Sequence, residues 1–251
     1  RKQMKNVIFV IVVSLLVFGC VRTKNVKNTE AQSEYLAESE NMNIKMVGPA
    51  QPLVAPSNSE QAMQAYTTGT TFLKENNLSE AEKYLKEAIE LDPLFVDAMD
   101  YLGMVYRRQN RFDEAEEMYL RSIGINDENV VPYLNLAVVY RIKNKLNDAF
   151  ELYEKIIDID EKNPESYYGI GELFYIVGDY EKSMPFFDKA IELYIEQDSM
   201  VVYDAFYYKG MIYYKINNYD AALKYLEEVQ KVDSNNQTLK KTISEIKTKK
   251  M

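Results

Sequence analysis

Few residues in this chain could do chemistry. Its 251 residues include no His and one Cys, Cys20. Without His, the Ser-His-Asp and Cys-His nucleophile arrangements and His-ligated metals are excluded. A single Cys rules out an intrachain disulfide framework. Carboxylate and Lys chemistry remains, but Asp and Glu are scattered over the polar faces of amphipathic stretches, where they read as solvated surface. We therefore assign no catalytic residue, metal ligand or cofactor. The concentrated chemistry is recognition. Five of the seven Arg residues lie between Arg107 and Arg141, in a chain of net charge −9. A guanidinium fork bonds both oxygens of a carboxylate, so Arg107, Arg108 and Arg141 suit an acidic or C-terminal segment of a partner. The other reading is that they pair with nearby acids, such as Asp97 or Asp100, and only solubilise the surface. The negative total argues against non-specific nucleic-acid binding.

Cys20 ends the segment that begins the chain. Lys2 and Lys5 precede an apolar run from Val7 to Phe18, followed by Gly19 and Cys20. A basic start, a short apolar run and a small residue make residues 1–19 a secretory signal peptide. The run is shorter than the roughly 20 apolar residues of a membrane span, and an uncleaved anchor is the alternative. Val17-Phe18-Gly19-Cys20 resembles the lipobox of bacterial lipoproteins, with Phe18 bulkier than usual at its position. The resemblance implies cleavage before Cys20, acylation of Cys20, and an exported chain held on a bacterial membrane by lipid. Val21, where inner-membrane lipoproteins of proteobacteria carry Asp, favours the outer membrane, facing the periplasm or the surface. Residues 20–58 then read as the lipidated Cys and a disordered linker, rich in Asn, Glu, Ser, Lys and Thr, with Pro49, Pro52 and Pro56 near its end. Such a chain spans about 35 Å.

Helices are expected from residue 59 onward. The stretch 78–93 has Ala81, Leu85, Ala88 and Ile89 on one face and Lys and Glu on the other, with Ser79 and Glu82 at capping-box spacing. A helix of this length is marginal alone. The chain supplies its partners by repeating every 34 residues. Units begin at Ala62, Val96, Val130, Pro164 and Tyr203. Position 8 is small (Gly69, Gly103, Ala137, Gly171, Gly210) and position 11 is aromatic (Phe72, Tyr106, Tyr140, Phe174, Tyr213). Position 15 is Asn76, Asn110, Asn144, Gly178 and Asn217, residues that tolerate the left-handed conformation past a helix end. Position 20 is small (Ala81, Ala115, Ala149, Ser183, Ala222) and position 24 is bulky (Leu85, Tyr119, Tyr153, Phe187, Leu226). Each unit is thus helix, tight turn, helix. Pro185, inside the second helix of unit four, is expected to shift or kink its start. Asp198 to Val202 are five additional residues, expected to lengthen the next helix or its connection. Thr68 and Lys209, at a usually apolar position 7, suggest looser packing in the first and last units.

This register resembles the tetratricopeptide repeat family over residues 62–236 and lies at its period. The resemblance implies an all-α, right-handed superhelical solenoid of about five units over residues 59–236, closed by a capping helix over 237–251. That last helix carries Leu239, Ile243 and Ile246 on one stripe among Lys residues. Its basic face is expected to be solvated rather than to touch anionic lipid. Family members bind partners in the concave groove lined by positions 2, 5, 9, 12 and 13 of the first helices. Here the candidate contacts are Arg107, Arg108, Arg141, Leu134 and Val138, with Tyr168, Tyr175, Tyr207 and Tyr214 at the other end. The Lys and Asn of the chaperone-binding carboxylate clamp are absent: Tyr66 and Thr70, and Asp100 and Met104, occupy those positions. Most Tyr residues are expected to pack the core. The implied function is a membrane-anchored protein-interaction scaffold for pilus, secretion or envelope assembly. The alternatives are a transport accessory for a small ligand or solute-binding protein, and an enzyme or its regulatory subunit.

Overall fold

The computed structural model describes residue 57 and residues 59–250. The signal peptide, Cys20 and nearly all of the linker lie outside the described residues. Eleven helices follow among the described residues, with no strand. They are α1 (Glu60–Lys74), α2 (Leu78–Leu91), α3 (Val96–Arg108), α4 (Phe112–Ile125), α5 (Val130–Ile142), α6 (Leu146–Ile159), α7 (Pro164–Ile176), α8 (Tyr180–Glu196), α9 (Val202–Lys215), α10 (Tyr219–Val232) and α11 (Gln237–Lys250). Odd-numbered helices up to α9 are the first helices of the five units.

The turn inside each unit is set by position 15. Asn76, Asn110, Asn144, Gly178 and Asn217 have φ of 58°, 59°, 57°, 77° and 62°. In unit one the Asn76 N–H donates to Leu73 O at 3.1 Å and the Asn77 N–H to Phe72 O at 2.8 Å. The same pair of bonds recurs at Asn110, Asn144, Gly178 and Asn217. They satisfy the last carbonyls of the first helix and reverse the chain at once. The next residue caps the second helix in three units: Asn77, Asp179 and Asn218 accept from the N–H of Glu80, Lys182 and Ala221. The capping box expected at Ser79 does not form. The cap is Asn77, and Ser79 is already within α2.

Packing follows the register. A Cβ on Gly103 would stand 2.6 Å from the Tyr119 ring, and one on Gly69 2.8 Å from Leu85 Cγ. Position 8 must therefore be small because position 24 of the same unit fills the space. In unit three Ala137 takes position 8, and the Tyr153 ring lies instead against Gly169 of the next unit. The aromatic at position 11 stacks on position 23: Phe72 on Tyr84 at 5.6 Å, Phe174 on Phe186 at 5.6 Å, and Tyr213 on Tyr225 at 5.7 Å. Ala81, Leu85, Ala88 and Ile89 are all buried.

Three departures differ from expectation. Pro185 lies within α8, but the helix begins at Tyr180, the same position 17 at which α2, α4, α6 and α10 begin, so its start is not displaced. The five additional residues go mainly backward. Three lengthen α8, one its connection and one α9, and Asp198 (φ 50°) ends α8 with the same backbone bonds as the Asn turns. Lys209 is buried rather than loose: its ammonium pairs with Asp188 and lies 4.8 Å from the centre of the Tyr225 ring. At the end, α11 buries Leu239, Ile243 and Ile246. Lys247 pairs with Glu227 at 2.8 Å and Lys250 with Asp220, while Lys249 donates to the Tyr214 hydroxyl at 2.8 Å. Part of its basic face is thus spent holding the helix down.

Candidate partner-binding groove

First helices touch across units: α1 meets α3, α3 meets α5, α5 meets α7 and α7 meets α9. Second helices make no contact of that extent with one another. The first helices therefore form the inner surface, and positions 2, 5, 9, 12 and 13 are its expected lining.

The middle of that surface is an internally satisfied polar chain. Arg141 on α5 pairs with Glu172 on α7, their side chains 7% and 6% exposed. Glu172 also accepts from the Tyr208 hydroxyl of α9 at 2.9 Å. Arg141 lies beside the Tyr153 hydroxyl, which burial pushes up and the guanidinium pulls down. Arg141 is thus engaged within the protein, and its partner is Glu172 of the following unit rather than Asp97 or Asp100. The register placed Glu172 in the groove at position 9 without assigning it a partner, and Tyr208 was not singled out. Position 9 usually reads as an apolar or ligand contact, and a pairing over 31 residues depends on the offset between units.

The other candidate residues divide into two groups. Arg107 is half-buried beside the Tyr119 hydroxyl. Arg108 is exposed and donates to Leu73 O at 3.3 Å. Leu134 is buried, Val138 half-buried and Ile142 exposed, which leaves an apolar strip on α5. At the other end Tyr168 and Tyr175 set their rings edge-on to Tyr208 at 5.8 and 5.1 Å, and Tyr207 does so at 5.9 Å. Tyr214 meets Tyr219 at 6.3 Å. Of these four, Tyr175 is buried, while Tyr168, Tyr207 and Tyr214 retain exposed edges.

Two acids on α3 were missed as a unit. Asp100 is 2% exposed, and burial pushes its carboxyl up to about 7, with Asp97 adding to the rise and Ser122 opposing it. Burial likewise raises Asp97. Tyr66, whose ring meets Tyr101 at 5.6 Å, feels both acids. Their placement in one helix, one turn apart, was visible in the sequence, but their burial was not. Among the described residues no group of three or more His, Cys, Asp or Glu is placed to hold a metal ion. No helix there is long and apolar enough to cross a membrane.

This fold is the tetratricopeptide solenoid. The family model described as Tetratricopeptide repeat matches residues 66–129, and the model described as RNPP family C-terminal domain matches residues 128–225. No curated protein matches the chain. A tetratricopeptide repeat protein from Parabacteroides merdae is similar in structure at 20% identity and a TM-score of 0.61, over 75% of this chain and 73% of that one. A thermophilic TPR protein in Thermus thermophilus is similar at 13% identity and a TM-score of 0.59, over 74% and 98%. YrrB, described as a TPR protein with an unusual peptide-binding site, is similar at 20% identity and a TM-score of 0.53, over 74% and 93%.

Proposed function

We propose that this protein is a lipid-anchored scaffold that holds a segment of a partner protein in its inner groove, in the envelope of a bacterial cell. The observation that carries the reading is the composition of that groove. Its walls are helices whose cores are complete, yet α5 leaves Val138 and Ile142 accessible, and exposed Arg108 of α3 holds the same position 13 as Ile142 one unit earlier. Apolar contact flanked by a planar cation fits an extended or C-terminal peptide better than a small molecule. The peptide site named for YrrB supports the same use of the fold, though fold alone does not fix function. The lipobox at Cys20 supports the anchor, and the linker would give the groove reach from the membrane.

The test has two arms. Photo-reactive residues at positions 138 and 142 in intact cells, read by mass spectrometry, should trap one partner reproducibly. The same residue at exposed Glu117 on α4 should not. Trapping of equal yield at all three positions defeats the groove. For the anchor, the wild-type protein should partition into detergent with acyl mass on Cys20, and Cys20→Ala should abolish both. A mature N-terminus elsewhere defeats the lipoprotein reading.

A further inference from the structure

Charge on the inner surface is sorted by helix end. Positions 2 and 5 of the first helices carry Asp97, Asp100, Glu165 and Asp204 and no cation. Positions 12 and 13 carry Lys74, Arg107, Arg108, Arg141 and Lys215 and no carboxylate. Each first helix is returned by a second helix after a tight turn, so all first helices start at one rim and end at the other. One rim is acidic and the other basic. The helix dipole favours such a bias, but it does not account for how the residues are left.

Asp97 is half-buried, raised by burial alone, and makes no ion pair among the described residues. Behind it, Asp100 is 2% exposed and its Oδ1 accepts no hydrogen bond. On the opposite rim, burial and then the neighbouring Arg107 hold the Arg108 guanidinium below its usual value. Its hydrogen bond to Leu73 O leaves further donors on the guanidinium, and Lys74 is exposed on the same rim. Asp97 on one rim and Arg108 and Lys74 on the other thus make no ion pair among the described residues. Asp97 and Arg108 are eleven residues apart on one helix, about 16 Å. Met104 and Val138, at position 9 of α3 and α5, lie between the rims.

We propose that the groove over the first units holds an extended partner segment whose successive side chains alternate in charge. Its basic residues face Asp97, and its acidic residues face Arg108 and Lys74. Neighbouring side chains of an extended strand point to opposite sides. A strand laid along the groove thus offers alternate residues to opposite rims. What the groove reads is the order of charge, not its total. The inference rests on the peptide-groove reading above.

The test uses the intact protein in detergent and two labelled octapeptides of equal composition and zero net charge. One alternates Lys and Glu; the other has its four Lys first and its four Glu last. Fluorescence anisotropy at low salt should show the alternating peptide binding about tenfold more tightly. Asp97→Asn and Arg108→Gln should each reduce that preference at least about threefold, with a cooperative thermal melt showing that each variant is still folded. Equal affinity for both peptides overturns the inference and leaves the groove reading standing. Binding of neither overturns the inference too, and the cross-linking at positions 138 and 142 then decides separately whether the groove reading falls with it.

Discussion

Arg141 and Glu172 form an ion pair out of reach of solvent, joining α5 of the third unit to α7 of the fourth. Two charges removed from water hold together only if each keeps its partner. Arg141→Met takes the guanidinium away from buried Glu172 and should cost about 3–5 kcal/mol. Arg141→Met with Glu172→Met and Tyr208→Phe removes both charges together and should recover most of that loss. Urea unfolding of the three proteins measures it. Equal losses in the single and triple variants would mean that the pair is not buried as described.

Gly103 and Gly124 should respond in opposite ways to the same substitution. Gly103→Ala drives a methyl into the Tyr119 ring and should cost about 1–3 kcal/mol. Nothing lies within 4 Å of a Cβ on Gly124, inside α4, so Gly124→Ala should stabilise by about 0.5–1 kcal/mol. Chemical denaturation of both variants checks the sign of each.

Asn110, at φ 59°, should accept Gly and reject Ala. Asn110→Ala places a Cβ in the left-handed region without a polar side chain to compensate and should cost about 1–2 kcal/mol. Asn110→Gly should stay near wild type. If both behave alike, the turn does not hold the conformation described.

These turns were legible because a positive φ restricts residue choice locally, and Asn or Gly recurs at position 15 in every unit. The small residues at position 8 were legible because a bulky position 24 faces a glycine there in four units, with Ala137 in the third. Arg141 with Glu172 was not legible. The sequence placed both on the inner face, but which unit supplies the counter-charge depends on how far each unit is rotated from the last. Asn77 was overlooked as the α2 cap because Ser79 and Glu82 offered a familiar spacing two residues later. The growth of α8 was hidden because Asp198 ends a helix without an Asn or Gly to mark it.

Asp100 makes stability depend on pH. An unfolded Asp titrates near about 3.9, whereas burial pushes Asp100 up to about 7 in the folded chain. Between those values the folded state keeps a proton that the unfolded chain has released. Its contribution is therefore complete below about pH 4 and is lost as pH rises toward 7. Asp100→Asn removes that loss and should gain stability relative to wild type between pH 5 and pH 8, by a few kcal/mol at most. Denaturation of both proteins at the two pH values is the measurement. Parallel behaviour would show that Asp100 stays ionised at little cost.

The chain from Arg141 through Glu172 to Tyr208 also bears on how the array takes a mechanical load. In a solenoid each unit touches only its neighbours, so unbending is shared among the joints as among springs in series, and the softest stretches most. The joints between units three and four and between four and five are bolted on the inner side by buried, charge-assisted bonds. The joint between units one and two relies on more exposed ties, Arg108 to Leu73 O and Arg111 to Glu82. Tension applied along the array would therefore be resisted differently at each joint, by charge-assisted bonds from units three to five and by the apolar packing of Leu85, Ala88, Ala98 and Met99 between units one and two.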